Sequence, residues 1–305
     1  MPTELFQLRW GVAEQGYEWR DVSLRGHPLP EGARPVRLLV ARGDADDIEM
    51  SARWYDPFVD ALALFRTFAD LAPTQEAIYK FANHYGWLHY SPPFVADPGA
   101  FQIHAPGSDD HARVVWGESL EQWIEAIGQV RYAVALWDRL QMNDREDLAR
   151  YLRQEGLEQS FEREAGRRTG PVWTGHAALY TMVAAQLTNT LSAQPVWDAD
   201  RQRLSLALVP ANLFAALWLQ FVNSVQGNIE YQKCAWCGKW FAIVPPQVRS
   251  SRAYCSTACR SKAYRKRQAD ARKLAATGVS LEEIASRLET TVETARGWIE
   301  RQHRA

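Results

Sequence analysis

The residue pattern that points most directly to chemistry in this chain is a cluster of cysteines. The chain has 305 residues and four cysteines, and all four fall within one 26-residue window, at Cys234, Cys237, Cys255 and Cys259. Two close pairs separated by a spacer can bring four thiolates to the corners of a tetrahedron, the arrangement that Zn²⁺ accepts from sulfur. The window holds no histidine, so sulfur alone completes the shell and leaves no position for water. The cysteines therefore predict a structural Zn²⁺ site.

Local sequence predicts how the cysteines are positioned. Gly238 suits a tight turn after the first pair, the aromatic stretch 239–244 predicts a strand, and Ser256 predicts the N-cap of a helix that carries Cys259. The tight turn that holds the first cysteine pair (a zinc knuckle), the hairpin around it and the helix that carries a ligand together resemble a treble-clef finger. The alternative is a redox-active pair at Cys234 and Cys237, but that motif needs a βαβ setting and has no use for a second pair.

Positive charge is concentrated after the last cysteine. Residues 232–305 hold 15 Lys and Arg against 6 Asp and Glu, a formal +9, whereas residues 1–231 hold 20 against 30, a formal −10. This asymmetry predicts that the tail meets an anion such as nucleic acid. The alternatives are a solvated helix face and a set of cations that balance the thiolates. We expect phosphate contacts from the helix that follows the finger, at Arg260, Lys262, Arg265, Lys266 and Arg267.

The end of the chain predicts two helices around a tight turn. Ser280 and Thr291 are candidate N-caps, and each is followed by an apolar face. This pattern resembles the helix-turn-helix of resolvase-like and other bacterial regulators, which implies that the second helix enters the major groove. Thr291, Arg296 and Arg301 would then contact nucleic acid, with Arg296 against a base. The alternative is a helical hairpin that packs on the body or on a partner chain.

The rest of the chain predicts helices with a few short strands. Ser119 and Gln122 form a capping box at the start of the longest predicted helix. We predict strands near 8–12, 17–24, 36–41 and 204–209, helices over 58–68, 77–85, 119–140, 143–152 and 172–191, a further helix whose first turn contains Pro210, and a loop over 88–117. The predicted fold is mainly α, of the α+β type. Its predicted domains are an acidic helical sensor or dimerisation domain (1–231), a four-cysteine zinc finger with its basic helix (232–268) and a helix-turn-helix (269–305).

Several short segments resemble bacterial zinc-finger regulators of the CGNR type. They are Phe81-Ala82-Asn83, Tyr85-Gly86, Glu118-Ser119-Leu120 and Cys259-Arg260-Ser261-Lys262-Ala263. In that family a helical N-terminal domain, thought to sense stress or ligands, precedes a finger and a basic helix. The resemblance implies a transcriptional regulator, to which this chain adds the helix-turn-helix.

These features together predict a cytoplasmic, zinc-stabilised protein that binds double-stranded DNA and is not an enzyme. A second copy of the chain and a small-molecule effector are the other partners considered, whereas a membrane is not expected because no long apolar segment is present. The alternative function is an adaptor or scaffold whose tail binds protein or RNA. An enzyme would require His84, His89 and His111 to converge with carboxylates, and none of them stands at a recognised ligand spacing.

Overall fold

The computed structural model describes most of the chain. The chain forms two compact units, Met1–Ile229 (unit 1) and Glu230–Ala305 (unit 2). The fold is mixed α+β, in agreement with the predicted class. Within the described residues, no helix combines the length and the apolar character needed to cross a bilayer. The residues that the structure describes are 6, 8–22, 36–42, 52–89, 103–105, 113–115, 117–142, 144–157, 170–198, 202–227, 229–243 and 252–300.

Unit 1 combines short antiparallel sheets with helices. Its strands are β1 (Trp10–Ala13), β2 (Tyr17–Val22), β3 (Val36–Ala41), β4 (Ala52–Tyr55), β5 (Ile103–Ala105), β6 (Arg113–Val115), β7 (Gly117–Ser119), β8 (Leu191–Asp198) and β9 (Arg203–Pro210). Its helices are α1 (Pro57–Asp60), α2 (Leu64–Ala69), α3 (Gln75–Tyr85), α4 (Leu120–Gln141), α5 (Arg145–Gln154), α6 (Pro171–Leu187) and α7 (Leu213–Gly227).

Unit 1 contains a three-stranded sheet in the order β2-β3-β7 and a core rich in aromatic side chains. The rings of Phe68, Phe81 and Trp123 contact one another at centroid distances of 5.2 to 6.1 Å, which joins α2, α3 and α4. Trp87 is fully buried, and its indole N–H donates to the carbonyl of Leu39 in the central strand at 3.0 Å. Burial of large rings supplies most of the apolar area removed from water in such a core.

The long helix α4 begins where the sequence predicts. Ser119 Oγ accepts from Gln122 N and the Gln122 side chain accepts from Ser119 N, so the predicted capping box is confirmed. The buried stripe of α4 includes Trp123 and Ile127, whereas Ile124, also apolar, is exposed. The reason is geometric: each helical residue is rotated by about 100° from the one before it, so Ile124 points away from the face that Trp123 buries.

The structure differs from the sequence prediction after α6. The helix predicted over 172–191 ends at Leu187. A strand that was not predicted, β8, follows it and pairs with β9 along its whole length. Asn189 has φ 62°, the left-handed conformation that often closes a helix. Pro210 is the last residue of β9, so the prediction that it lies in the first turn of a helix was wrong.

Three smaller predictions were also wrong. The predicted loop over 88–117 contains β5 and β6 and the start of β7, and the single helix predicted over 58–68 is two helices, α1 and α2. The helix predicted over 143–152 begins at Arg145, because the side chain of Asp144 caps it by accepting from two backbone N–H groups, and residue 143 lies outside the described residues.

The described part of unit 2 contains one hairpin and three helices. The strands are β10 (Glu230–Lys233) and β11 (Trp240–Ile243), and the helices are α8 (Thr257–Ala276), α9 (Leu281–Arg287) and α10 (Val292–Glu300). The domain boundary predicted between residues 268 and 269 falls inside α8. The finger and the helix-turn-helix segment therefore share one uninterrupted helix.

Candidate metal centre and basic surface

The first cysteine pair is positioned by the turn of the β10–β11 hairpin. Cys234 N donates to the carbonyl of Lys239 at 2.9 Å, and Gly238 N donates to the carbonyl of Cys234 at 2.9 Å. Gly238 has φ 71°, a left-handed conformation that a residue without Cβ adopts at little cost. The turn thus brings Cys234 and Cys237 to the same side of the hairpin end.

The second pair is positioned by the start of α8. Ser256 is the N-cap, as predicted: its hydroxyl accepts from Cys259 N at 3.2 Å. Cys255 lies just before this N-cap and Cys259 lies in the first turn of α8, and their sulfur atoms converge across the start of the helix at 3.5 Å. Ala235 N donates to the carbonyl of Ala253 at 2.9 Å and ties the segment before α8 to the turn of the hairpin.

The four sulfur atoms lie at distances suited to a tetrahedral metal. All four lie within 4.8 Å of one another. Cys237 Sγ is 3.7 Å from Cys255 Sγ, which is 3.5 Å from Cys259 Sγ. A tetrahedral shell with metal–sulfur bonds of about 2.3 Å places its sulfurs about 3.8 Å apart, whereas a disulfide needs about 2.05 Å. The cysteines are all free, and together they could hold a metal ion.

The local environment shifts the pKa values of two of the cysteine thiols in opposite directions. Burial acts to raise the pKa of the Cys234 thiol, but hydrogen bonds from the backbone at Cys237, Cys255 and Trp236 outweigh it and lower that pKa to about 6. Burial and the neighbouring sulfur of Cys259 raise the pKa of Cys255. Four adjacent thiols cannot all ionise without a compensating charge, and a bound cation would supply it.

A small apolar and cationic shell supports the cysteine cluster. Cys234, Phe241 and Ile243 are buried together, with Tyr254 packed against them. Arg252 lies over the ring of Phe241 at 5.4 Å and donates to the backbone carbonyls of Tyr254 and Cys255. Arg252 was not singled out from the sequence. Its position inside the 17-residue spacer between the cysteine pairs gave no signal of this role.

The cations predicted to contact phosphate all lie on α8. The helix contains seven Lys and Arg against one Asp. Among the residues that the structure describes, no ion pair engages the five predicted phosphate contacts. The five are Arg260, Lys262, Arg265, Lys266 and Arg267, and all of them are exposed.

The three helices of unit 2 pack around Trp298. Its indole N–H donates to the hydroxyl of Tyr264 at 3.0 Å, and Arg272 Nε donates to its backbone carbonyl at 2.9 Å. A buried cluster joins the three helices through the side chains of Ala271, Ile284, Ala285, Ala295 and Trp298. The contact of Tyr264 with Trp298 was missed from the sequence, although Tyr264 and Ala271 stand seven residues apart and therefore on one face of α8.

Of the three residues predicted to contact nucleic acid in the helix-turn-helix segment, the structure describes two. Thr291 lies just before α10, and its hydroxyl accepts from Thr294 N at 3.2 Å, as an N-cap does. Arg296 is exposed on α10, and Arg301 lies outside the described residues. Glu289, in the turn between α9 and α10, has φ 49°, a left-handed conformation that a glycine would adopt more readily.

The hydrogen bond between Tyr264 and Trp298 gives a testable contribution to the stability of unit 2. We expect Tyr264→Phe to lower the free energy of unfolding of this unit by about 1 kcal/mol, because the substitution removes one partly buried hydrogen bond and keeps the ring contact. Thermal unfolding of Tyr264→Phe, Trp298→Phe and the double variant would measure the coupling. Additive effects of the two substitutions would contradict a direct interaction.

The histidines considered as candidates for an enzyme site have different neighbours. His84 packs edge-on against Tyr85, and His89 Nδ1 lies 3.4 Å from a carboxylate oxygen of Glu118. His111 lies outside the described residues. Among the residues that the structure describes, the four cysteines are the group of His, Cys, Asp and Glu side chains placed to hold a metal.

Comparisons of this chain with protein-family models, with curated proteins and with solved structures found no match. The features that bear on function are therefore the cysteine cluster, the cations of α8 and the packing of unit 2.

Proposed function

We propose that this chain is a zinc-stabilised protein that binds double-stranded DNA through unit 2 and acts as a bacterial transcriptional regulator. The observation that carries the proposal is the continuity of the metal-competent cysteine cluster with the exposed cations of α8. Cys255 and Cys259 stand at the start of the helix, and the basic residues follow within its next two turns. A metal bound there would fix the end of the helix that carries them.

Zn²⁺ is the metal that best fits the four sulfurs. Four thiolates at tetrahedral spacing are typical of structural zinc sites, which leave no open coordination position for catalysis. Cys234, Cys237, Cys255 and Cys259 would be the ligands, and Arg252 beside them would offset part of their charge. The bound ion would stabilise the finger and supply no reactive group.

The charge of unit 2 supports a polyanionic partner. Unit 2 holds 15 Lys and Arg against 7 Asp and Glu, because it begins at Glu230. A zinc tetrathiolate carries about −2, which leaves a surplus of about +6. Cations presented on a helix neutralise phosphates and release counterions from the duplex, which supplies much of the affinity of such proteins.

Unit 1 would then carry regulation, through a small-molecule effector or a second copy of the chain. A cavity of about 280 Å³ supports an effector. The cavity lies between α4, α6 and the end of α5, and it is lined by Tyr132, Glu155, Leu157, Ala178, Thr181 and Met182. Its volume lies just below the range of about 300–1,000 Å³ that is usual for ligand sites.

Selection of bound duplexes from a random pool by the full chain would test DNA binding. If about four to six phosphates are contacted, we expect the logarithm of the association constant to fall with the logarithm of salt concentration with a slope of about −4 to −5. Recovery of a common sequence would support regulation at specific sites. A flat salt response, or binding of RNA or protein without duplex DNA, would favour the adaptor function instead.

A further inference from the structure

Helix α8 has two opposite faces with different surroundings. Successive residues of an α-helix are rotated by about 100°. Tyr264, Ala271 and Ala275 share one side of α8, and this inner face packs against Trp298 and the helix-turn-helix segment. The other side, here called the outer face, falls within an arc of about 100°. The outer face comprises four cations and three alanines: Ala258, Lys262, Arg265, Lys266, Ala269, Lys273 and Ala276. All seven residues are exposed.

The outer face and helix α10 therefore point in different directions. Because α10 packs on the inner face, a duplex that lies along α10 would not reach the outer face, and a duplex on the outer face would not reach α10. Arg260 and Arg267 project about 150–170° from the middle of the outer face, so they do not belong to it. Only one of the two surfaces can be the main contact with a straight duplex.

Charge distinguishes the two surfaces. Helices α9 and α10 and the turn between them, residues 281–300, hold five Glu against two Arg. One of those arginines, Arg287, forms an ion pair with Glu283 at 2.5 Å. The first turn of α10, which enters the groove in a helix-turn-helix, carries Glu293. The outer face holds four cations and no carboxylate, so phosphates would be attracted there and repelled from α9 and α10.

We infer, on the basis of the proposed function, that the duplex lies on the outer face of α8 and that α9 and α10 brace this helix from behind. In this arrangement the metal fixes one end of the reading helix and the Trp298 cluster fixes its other half. The helix-turn-helix segment thus serves as a support for α8, and its second helix is not the one that reads DNA.

The residue types of the outer face suit a helix in the major groove. Residues 262–273 span about 16 Å at about 1.5 Å per residue, and the major groove, about 12 Å wide, admits an α-helix. Lys262, Lys266 and Lys273 would contact phosphates. Ala269, in the middle of the face, is small enough to let the helix approach the base edges. Arg265 has the side chain that pairs with a guanine edge through two hydrogen bonds, so it is the residue that we assign to sequence preference.

Two double variants of the full chain, matched in the charge they remove, test the inference on a selected duplex. Lys262→Ala with Lys266→Ala removes two cations from the outer face, and Arg287→Ala with Arg296→Ala removes two from α9 and α10. We expect the first to weaken binding at least about tenfold more than the second and to reduce the magnitude of the salt slope by about 2. Arg265→Lys keeps the charge but not the paired donors, so it should relax the preference at one base pair by about tenfold with little change in that slope.

A bulky side chain in the middle of the outer face gives a test that removes no charge. Ala269→Leu should hold the helix away from the base edges and weaken duplex binding at least about tenfold, because the groove admits the helix with little room to spare. Thr294→Leu places a side chain of the same size on the exposed side of α10 and should change binding less than about twofold. Similar weakening by the two substitutions would count against the outer face as the contact surface.

The outcomes separate the inference from the proposed function. Greater loss of binding in the Arg287 and Arg296 variant would overturn the inference and leave DNA binding intact. Failure of the unaltered chain to bind any duplex would overturn the proposed function and the inference with it. All the substituted side chains are exposed, and circular dichroism with elemental analysis would establish that each variant keeps its helices and its metal.

Discussion

Substitution of Cys255 by Ser is expected to release the metal and unfold the finger, with loss of duplex binding. Metal binding in small zinc modules is worth about 10–16 kcal/mol at neutral pH, far more than a single hydrophobic contact. Within the described residues, the small buried core beside the cluster consists of Cys234, Phe241 and Ile243, and so we expect the hairpin to need the ion. Elemental analysis of the purified chain and of the variant would measure the metal, and a duplex-binding titration would measure the loss.

The expected unfolding is local. The cluster around Trp298 holds α8, α9 and α10 together and contains none of the cysteines. Hydrogen exchange should therefore become fast in residues 230–256 of the Cys255→Ser variant, while the amides of α9 and α10 remain protected. Equal loss of protection in both regions would contradict two separate cores in unit 2.

Ser256→Ala is the matched control for this experiment. It changes the neighbouring residue and removes the N-cap of α8 but keeps all four sulfur atoms, which should cost about 1 kcal/mol and leave the metal in place. A metal content that is the same in Cys255→Ser and in Ser256→Ala would show that the cysteines do not bind the ion. Elemental analysis also distinguishes zinc from iron, the other metal that four thiolates hold readily.

Local signals in the sequence were sufficient to predict how the metal site is assembled. The step from Cys234 to Cys237 corresponds to one tight turn, and the step from Cys255 to Cys259 spans the N-cap and the first turn of α8, so short-range geometry brings each pair together. The N-cap at Ser256 follows from the residue type and its position before the helix. These features do not depend on the rest of the fold.

Features set by long-range packing could not be predicted in the same way. Cations occur on several sides of α8, so its sequence does not indicate which small residues, such as Ala271, face Trp298. Strand β8 was missed because residues 169–197 contain no Lys, Arg, Asp or Glu, and the apolar run of α6 continues into it without interruption. Asn189 was the available signal for the end of that helix, since Asn tolerates φ above zero better than most residues.

In unit 1 a large loss of stability is expected when the carboxylate of Glu118 is removed, because this residue is only 1% exposed. Its two carboxylate oxygens accept from Leu88 N at 3.0 Å and from His89 N at 2.6 Å, and so they hold the chain after α3 against the start of α4. Glu118→Ala would leave both N–H groups without their acceptor inside the protein. An orphaned buried donor costs about 1–3 kcal/mol, so we expect a loss of about 2–6 kcal/mol in the free energy of unfolding.

Urea unfolding would measure this loss of free energy, and hydrogen exchange would measure the loss of protection at the amides of Leu88 and His89. Two further variants identify the cause. Glu118→Gln keeps one oxygen acceptor but turns an NH₂ group toward the second donor, so its effect should be intermediate. Glu125→Ala removes an exposed carboxylate from the same helix region and should change stability by about 0.5 kcal/mol or less. Equal stability of Glu118→Ala and Glu125→Ala would mean that water replaces the carboxylate, and that the junction of β7 and α4 does not depend on it.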